Sequence, residues 1–273
     1  MDNVNNYMKE GDELNLDTID TIAKEVLEQT LRERFANSQV AKALDGGYGN
    51  YSDQGAFDEK VAAAMEHSMI RPDATPAMVK QFCEEAIKYK FRNVAVPACF
   101  VSMAAQQLKG TGVRVSTAVA FPMGIASTRT KVAETLEVIE NGASEIDLPI
   151  NIGMVKAGEI KVVKEEIEAV VAASNNRALI KVVIDLAQLT DEEKVKVALI
   201  AKMAGADFLK IAATTRPFGV NSGDISFFRQ VVGPEMGLKA DGGIKDYKSA
   251  VAVIEAGGTT IGASSSVKIV TRA

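Results

Sequence analysis

The chain has 273 residues, 47% hydrophobic and 25% charged, ordinary proportions for a soluble protein with a sizeable core, and is long enough for one large α/β domain or two small ones. A formal net charge of −5 without a dense Lys/Arg run disfavours a nucleic-acid binder, whose affinity rests on neutralising phosphates. Two cysteines, Cys83 and Cys99, with no CxxC, and a single histidine, His67, supply neither a His/Cys metal site nor a Ser-His-Asp triad, so acid–base chemistry falls to Lys, Asp, Glu, Tyr or water.

The first residues, MDNVNNYMKEGDE, lack the basic region and apolar run of a signal peptide, and no stretch of ~18 apolar residues spans a membrane. A cytoplasmic protein without a membrane partner is the expectation. From residue 16 to about 35, Ile19, Ile22, Ala23, Val26, Leu27 and Leu31 fall on one face of a helix, with Asn15 or Asp17 as its cap. That face should pack on the main domain or on a second subunit. The stretch 45–55, DGGYGNYSDQG, reads as a linker, because no strand precedes its glycines and no GK[ST] follows them. Residues 1–60 are thus expected to form a helical extension and 61–273 the catalytic domain.

Beyond the linker, apolar strands alternate with amphipathic helices. Strands are predicted over 67–70, 93–97, 114–121, 145–151, 179–186, 208–213, 238–243 and 260–264, and helices over 75–90, 101–109, 127–141, 161–174, 191–204, 222–232 and 247–256. Three helix-to-strand junctions, NGASEID, AGADFLK and AGGTTIG, echo one another, each with a Gly suited to a left-handed helix end. Eight such units fit a (β/α)8 barrel better than an open doubly wound sheet: no GxGxxG follows the first strand, and polar residues gather at the C-terminal ends of later strands. Those residues are Asp147, Lys181, Asp185, Lys210 and Lys239, of which Lys181 and Asp185, four apart, share one strand face.

If the barrel closes in sequence order, Lys210 and Lys239 stand on neighbouring strands. Two inward ammoniums at one height repel, which is expected to depress the pKa of the more buried one and supply free amine to attack a carbonyl. The product is a Schiff base, an electron sink that stabilises a carbanion on the adjacent carbon. Asp147 could move protons directly or through water. The turns ADGGIKD and IGASSSVK, after strands seven and eight, let backbone approach an anion closely, with Ser264 and Ser265 at the start of a short final helix. Barrels commonly hold phosphate there, so a small phosphorylated substrate is expected.

From roughly residue 67 to 270 the chain resembles the class I deoxyribose-phosphate aldolases. The matching segments are FPMG at 121–124, NGASEIDLPINIGMVKAG at 141–158, LIKVVID at 179–185, AGADFLK at 204–210, GLKADGGIKD at 237–246 and IGASS at 261–265. The resemblance implies a (β/α)8 TIM barrel, a Schiff base on Lys210, a second catalytic lysine at Lys239 and a proton-relay aspartate at Asp147. It places substrate phosphate against Gly242, Gly243, Gly262, Ser264 and Ser265, with Ser68 and Lys181 among the substrate contacts and no metal or cofactor.

The chain departs from the family pattern near the substrate. The usual Thr-Ser-Thr-Gly run after the Schiff-base lysine is Ile211, Ala212, Ala213 and Thr214 here, and the following loop brings in Arg216, a candidate phosphate or carboxylate contact. The first strand has Glu66-His67-Ser68 for Asp-His-Thr, the second has Pro97-Ala98 for Asn-Pro, and the fifth has Asp185-Leu186 for Glu-Thr. The expected reaction is reversible cleavage of 2-deoxy-D-ribose 5-phosphate to acetaldehyde and D-glyceraldehyde 3-phosphate, in a homo-oligomer. The alternatives are the same chemistry on another phosphorylated sugar, or a non-catalytic barrel that binds a phosphometabolite. The lone His67 reads as a hydrogen-bonded structural residue.

Overall fold

The computed structural model describes residues 16–43, 57–213, 216, 217 and 219–272. The expected cap Asn15 and the expected linker 45–55 lie outside these residues. Eight parallel strands, β1 (Met65–Ser68), β2 (Asn93–Ala95), β3 (Arg114–Ala118), β4 (Glu145–Pro149), β5 (Leu179–Asp185), β6 (Phe208–Ala212), β7 (Gly237–Asp241) and β8 (Thr260–Ala263), close into a barrel in sequence order. This is the predicted (β/α)8 fold.

Alternation along each strand sorts its side chains. Ile146, Leu148, Val182, Ile184, Leu209, Ile211, Leu238 and Ala240 are wholly buried between the barrel and its helices, and this shell is the apolar core. The intervening positions face the barrel interior, and an unusual number of them are charged. Register aligns them: Asp147 pairs with Lys181, and Lys210 with Lys239, at matching heights. Glu66 is flanked by Asn93 on one side and Gly262 on the other.

The predicted helices recur with ends moved by at most two residues: α3 (Pro76–Lys88), α4 (Val101–Leu108), α5 (Thr128–Glu140), α7 (Ile160–Ser174), α8 (Asp191–Met203), α9 (Ser222–Val232) and α10 (Tyr247–Glu255). Gly142, Gly205 and Gly257 at the three echoed junctions take φ of +105°, +78° and +96°, as the repeated sequence requires. The short helices α2 (Glu59–Ala64) and α6 (Ile152–Lys156) were not predicted; five or six residues are too few to show a period. The final helix α11 (Ser266–Thr271) follows the expected Ser264–Ser265 turn.

The N-terminal helix α1 (Leu16–Ala43) packs on α8 and α9. Ile19, Ala23 and Val26 are buried there, each branched side chain contributing roughly 1.5–3 kcal/mol. Lys196 reaches Asp20 at 2.7 Å and Gln230 reaches Glu33 at 3.1 Å, so the extension clasps its own barrel. No described helix is long and apolar enough to cross a membrane.

Candidate active site

The barrel interior holds three lysines among four carboxylates. Lys210 Nζ donates to Asp147 Oδ2 at 2.8 Å and lies 2.5 Å from Asp241 Oδ2. Lys239 Nζ donates to the same Asp147 oxygen at 2.8 Å and to Glu66, and stands 3.8 Å from Asp241. Deeper in the barrel, Lys181 meets Glu145 at 2.7 Å, Glu66 at 2.9 Å and Asp147 Oδ1 at 3.5 Å. Arg92 and Arg114 close the network on Glu145 at 3.0 and 3.1 Å.

This arrangement corrects the expected electrostatics. The two neighbouring lysines do not face each other across an empty gap, because Asp147 is shared between them. Burial works against the Lys210 ammonium, but Asp147, Asp241 and Glu66 outweigh it and hold its pKa above the ordinary lysine value. Lys181 is raised for the same reason, burial being overcome by Glu66, Asp147 and Glu145. Burial likewise opposes the charges of Asp147 and Glu66; the lysines prevail, holding Asp147 well below the usual carboxylate range and Glu66 at about 2. In this resting lattice Lys210 and Lys181 are thus held as ammoniums, and Asp147 and Glu66 as carboxylates. Glu66, Asp147 and Asp241 bring their oxygens close enough to hold a cation, and the Lys239 ammonium already reaches all three.

Two clefts open above this lattice. One, of about 610 Å3, is walled by Phe121, Pro122, Ile150, Ile152, Ala212 and Ala213, and Lys210 lies on its floor. Of the three lysines only Lys210 reaches it; Lys181 and Lys239 are completely buried. The second, also about 610 Å3, brings together Ser68, Gly242, Gly243, Gly262, Ser264 and Ser265, as predicted from the two turns. Exposed Lys245 and Lys268 stand on its rim and supply positive charge that the sequence reading had not singled out. Asp241 and Gly242 line both clefts and mark where they join.

Close backbone packing shapes the second cleft. Gly243 has φ +84°, and a Cβ there would lie 2.3 Å from the Gly219 Cα, so the loops after β6 and β7 touch through two glycines. Gly262 lines this cleft and also makes room beneath it. It is buried on β8, and a Cβ there would approach the Asp241 carboxylate to 3.0 Å; the missing side chain makes room for that carboxylate.

Two other expected substrate contacts are placed elsewhere. Lys181 lies beneath both clefts, tied to Glu66, Glu145 and Ser116, where it organises the carboxylates rather than meeting a ligand. Arg216 donates to Asp224 at 2.7 Å, the residue whose carboxylate also caps α9 through the Asn221 amide, and it lines neither described cleft. Asp185 does share a face with Lys181, but its carboxylate accepts from the Ala187 amide at the cleft rim. His67 faces outward, stacked on Phe82 at 3.9 Å and bonded to Glu85 at 2.7 Å, a structural residue.

The sequence reading missed the buried pair of Lys131 and Glu166. Lys131 Nζ donates to Glu166 at 2.6 Å and to the Pro149 carbonyl at 2.8 Å, pinning the end of β4 where it walls the apolar cleft. Lys131 lies on α5 and Glu166 on α7, elements whose surface charges are numerous, and nothing in the spacing separates these two from the rest.

Comparison with known proteins places this site in a family. The model of the DeoC/LacD family aldolases matches residues 51–271. A deoxyribose-phosphate aldolase of Caldanaerobacter subterraneus subsp. tengcongensis is 45% identical over 212 residues, covering 77% of this chain and 92% of the relative. One from Enterococcus faecalis is 44% identical over 209 residues, covering 77% and 95%. Among solved structures, one from Coccidioides immitis, provisionally assigned as a deoxyribose-phosphate aldolase, superposes with TM-score 0.78 at 29% identity over 94% of this chain and 97% of that one. A tetrameric deoxyribose phosphate aldolase from Aeropyrum pernix gives 0.72 at 27% identity, over 78% and 90%. With a family model spanning most of its length and relatives 45% and 44% identical over 77% of it, the chain belongs to the DeoC/LacD family of aldolases.

Proposed function

We propose that this chain is a class I aldolase that reversibly cleaves 2-deoxy-D-ribose 5-phosphate to acetaldehyde and D-glyceraldehyde 3-phosphate, with Lys210 as its Schiff-base nucleophile. The observation that carries the reading is that Lys210 alone of the interior lysines reaches a cleft, and that this cleft joins the glycine- and serine-lined one at Asp241 and Gly242. A substrate with its carbonyl on Lys210 thus directs its phosphate to Gly242, Gly243, Ser264 and Ser265, near Lys245 and Lys268.

The chemistry follows from the lattice. Lys210 enters as an ammonium and must shed a proton to attack; Asp147, bonded to both Lys210 and Lys239, is the carboxylate through which that proton passes. The imine then accepts the electron pair of the breaking carbon–carbon bond, leaving an enamine that is protonated on carbon to a second imine, which water hydrolyses to release acetaldehyde and free Lys210. Lys239 offsets the negative charge that would otherwise fix Lys210 as an ammonium. We assign the catalytic unit to residues 61–273 and the extension to 1–60; the family match, residues 51–271, spans nearly all of that unit and reaches into the end of the extension. A cytoplasmic homo-oligomer is part of this reading; the A. pernix relative is described as a tetramer.

The direct test is borohydride reduction in the presence of acetaldehyde, followed by peptide mapping. A stable adduct on Lys210 is expected, and an adduct on any other lysine would overturn the assignment. A second test addresses the phosphate cleft. Gly243→Ala forces the touching loops apart, a strain of about 1–3 kcal/mol, and should raise KM for the phosphorylated substrate about tenfold or more. The KM of an unphosphorylated aldehyde should barely change. An equal rise for both would move the phosphate site elsewhere.

A further inference from the structure

We infer that Asp241 is a catalytic residue of this aldolase, the base that takes the proton from the substrate hydroxyl as the carbon–carbon bond breaks. The assignment rests on the aldolase reading above and extends it to a side chain that reading leaves without a role. Asp241 occupies the one place where both clefts meet, between the carbonyl end at Lys210 and the phosphate end at Gly242 and Gly243. The carbons between a carbonyl and a terminal phosphate carry the hydroxyls of a sugar, so a carboxylate at this junction faces them.

The alternative base, Asp147, is poorly placed for that step. It is completely buried, lines neither described cleft, and its Oδ2 accepts from both Lys210 and Lys239 at 2.8 Å. Asp241 keeps 23% of its side chain exposed and has one close partner, Lys210 at 2.5 Å, with Lys239 farther off at 3.8 Å. Imine formation changes this balance. An ammonium has three N–H bonds and a protonated imine has one, so Lys210 can no longer serve two carboxylates at once. Asp147 is still held by Lys239, whereas Asp241 loses its close partner and is released towards the bound substrate.

The step then balances. The bond between the carbon α to the imine and the hydroxyl-bearing β carbon breaks, its electron pair forms the enamine, the β hydroxyl becomes the aldehyde carbonyl, and its proton passes to the Asp241 carboxylate. In the synthetic direction the same carboxylic acid returns the proton to the new alkoxide. Gly262 completes the arrangement, since any side chain there would crowd the carboxylate that moves.

Two reactions separate this role from a general effect on Lys210. Exchange of the acetaldehyde methyl hydrogens with deuterated water needs the Lys210 imine and its enamine but no substrate hydroxyl; cleavage of the sugar phosphate needs both. In Asp241→Asn, cleavage kcat should fall about 100-fold or more, the usual yield of a positioned base, while exchange at its own optimal pH stays within about threefold. Gly262→Ala, which keeps every ionisable group and displaces the carboxylate, should lose about tenfold in cleavage kcat at saturating sugar phosphate, where a change confined to the phosphate cleft would show in KM instead, and little in exchange. It also keeps the question open to answer should Asp241→Asn fold poorly. Equal losses in the two reactions would overturn the role of Asp241 and leave Lys210 in place. An unaltered protein that neither exchanges nor forms the borohydride adduct would overturn the aldolase reading and this assignment together.

Discussion

Lys210→Met is expected to lower aldol cleavage on the order of 10^4-fold or more, because among the described residues no other amine reaches the cleft to form the imine. Methionine matches the length and apolar stem of lysine without its charge. Asp147 keeps Lys239 at 2.8 Å, and Asp241 is already partly exposed, so neither carboxylate is left buried without a partner or water. Folding should therefore survive, with loss of the borohydride adduct as the matched readout. A Lys210→Met protein that keeps even a few per cent of its cleavage rate, with the adduct appearing on another lysine, would sink the assignment.

Lys239→Met should act on both stability and pH dependence. Lys239 is fully buried and bonded to Glu66 and Asp147. Breaking a buried pair from one side costs about 3–5 kcal/mol, which lowers Tm by roughly 10 °C for a domain of this size. The sign of the pH effect follows from the shared carboxylates. Without Lys239, Asp147 and Asp241 lose a competing cation and stabilise the Lys210 ammonium further, so free amine appears only at higher pH. The acid limb of kcat/KM should move upward by about one pH unit or more when measured well below the lowered Tm. An acid limb that stays in place would remove Lys239 from the control of Lys210. The expectation of mutual repulsion between the lysines thus keeps its direction of effect, but in the resting site carboxylates outweigh that repulsion, and Lys210 stands raised rather than depressed.

Much of the architecture was legible because it is periodic. Helix α9 is found at its predicted bounds, since Asn221 and Asp224 form a capping box ahead of a clear apolar face. Strand ends are where sequence and structure part: β3 is expected to reach residue 121 but stops at Ala118, because Ala120 takes φ +49° and turns the chain so that Phe121 walls the cleft. The first strand was set two residues late, with Met69 buried in the loop after β1 and apolar enough to pass for strand. Arg216 pairs at 2.7 Å with Asp224, eight residues on, a contact that no local period announces.

The amino-acid order by itself determined the alternation of strands and helices, the barrel, the neighbouring lysines and the two glycine-bearing turns, since each depends on local period or on adjacency of successive strands. Only the tertiary structure decided the ionisation of the site. Glu66 meets Lys239 across 173 residues of chain, Asp147 meets Lys210 across 63, and Asp241 gains its place opposite a glycine on the next strand. Charge states inside a barrel depend on burial and on distances of a few ångströms between strands far apart in sequence, and those exist only once the barrel has closed.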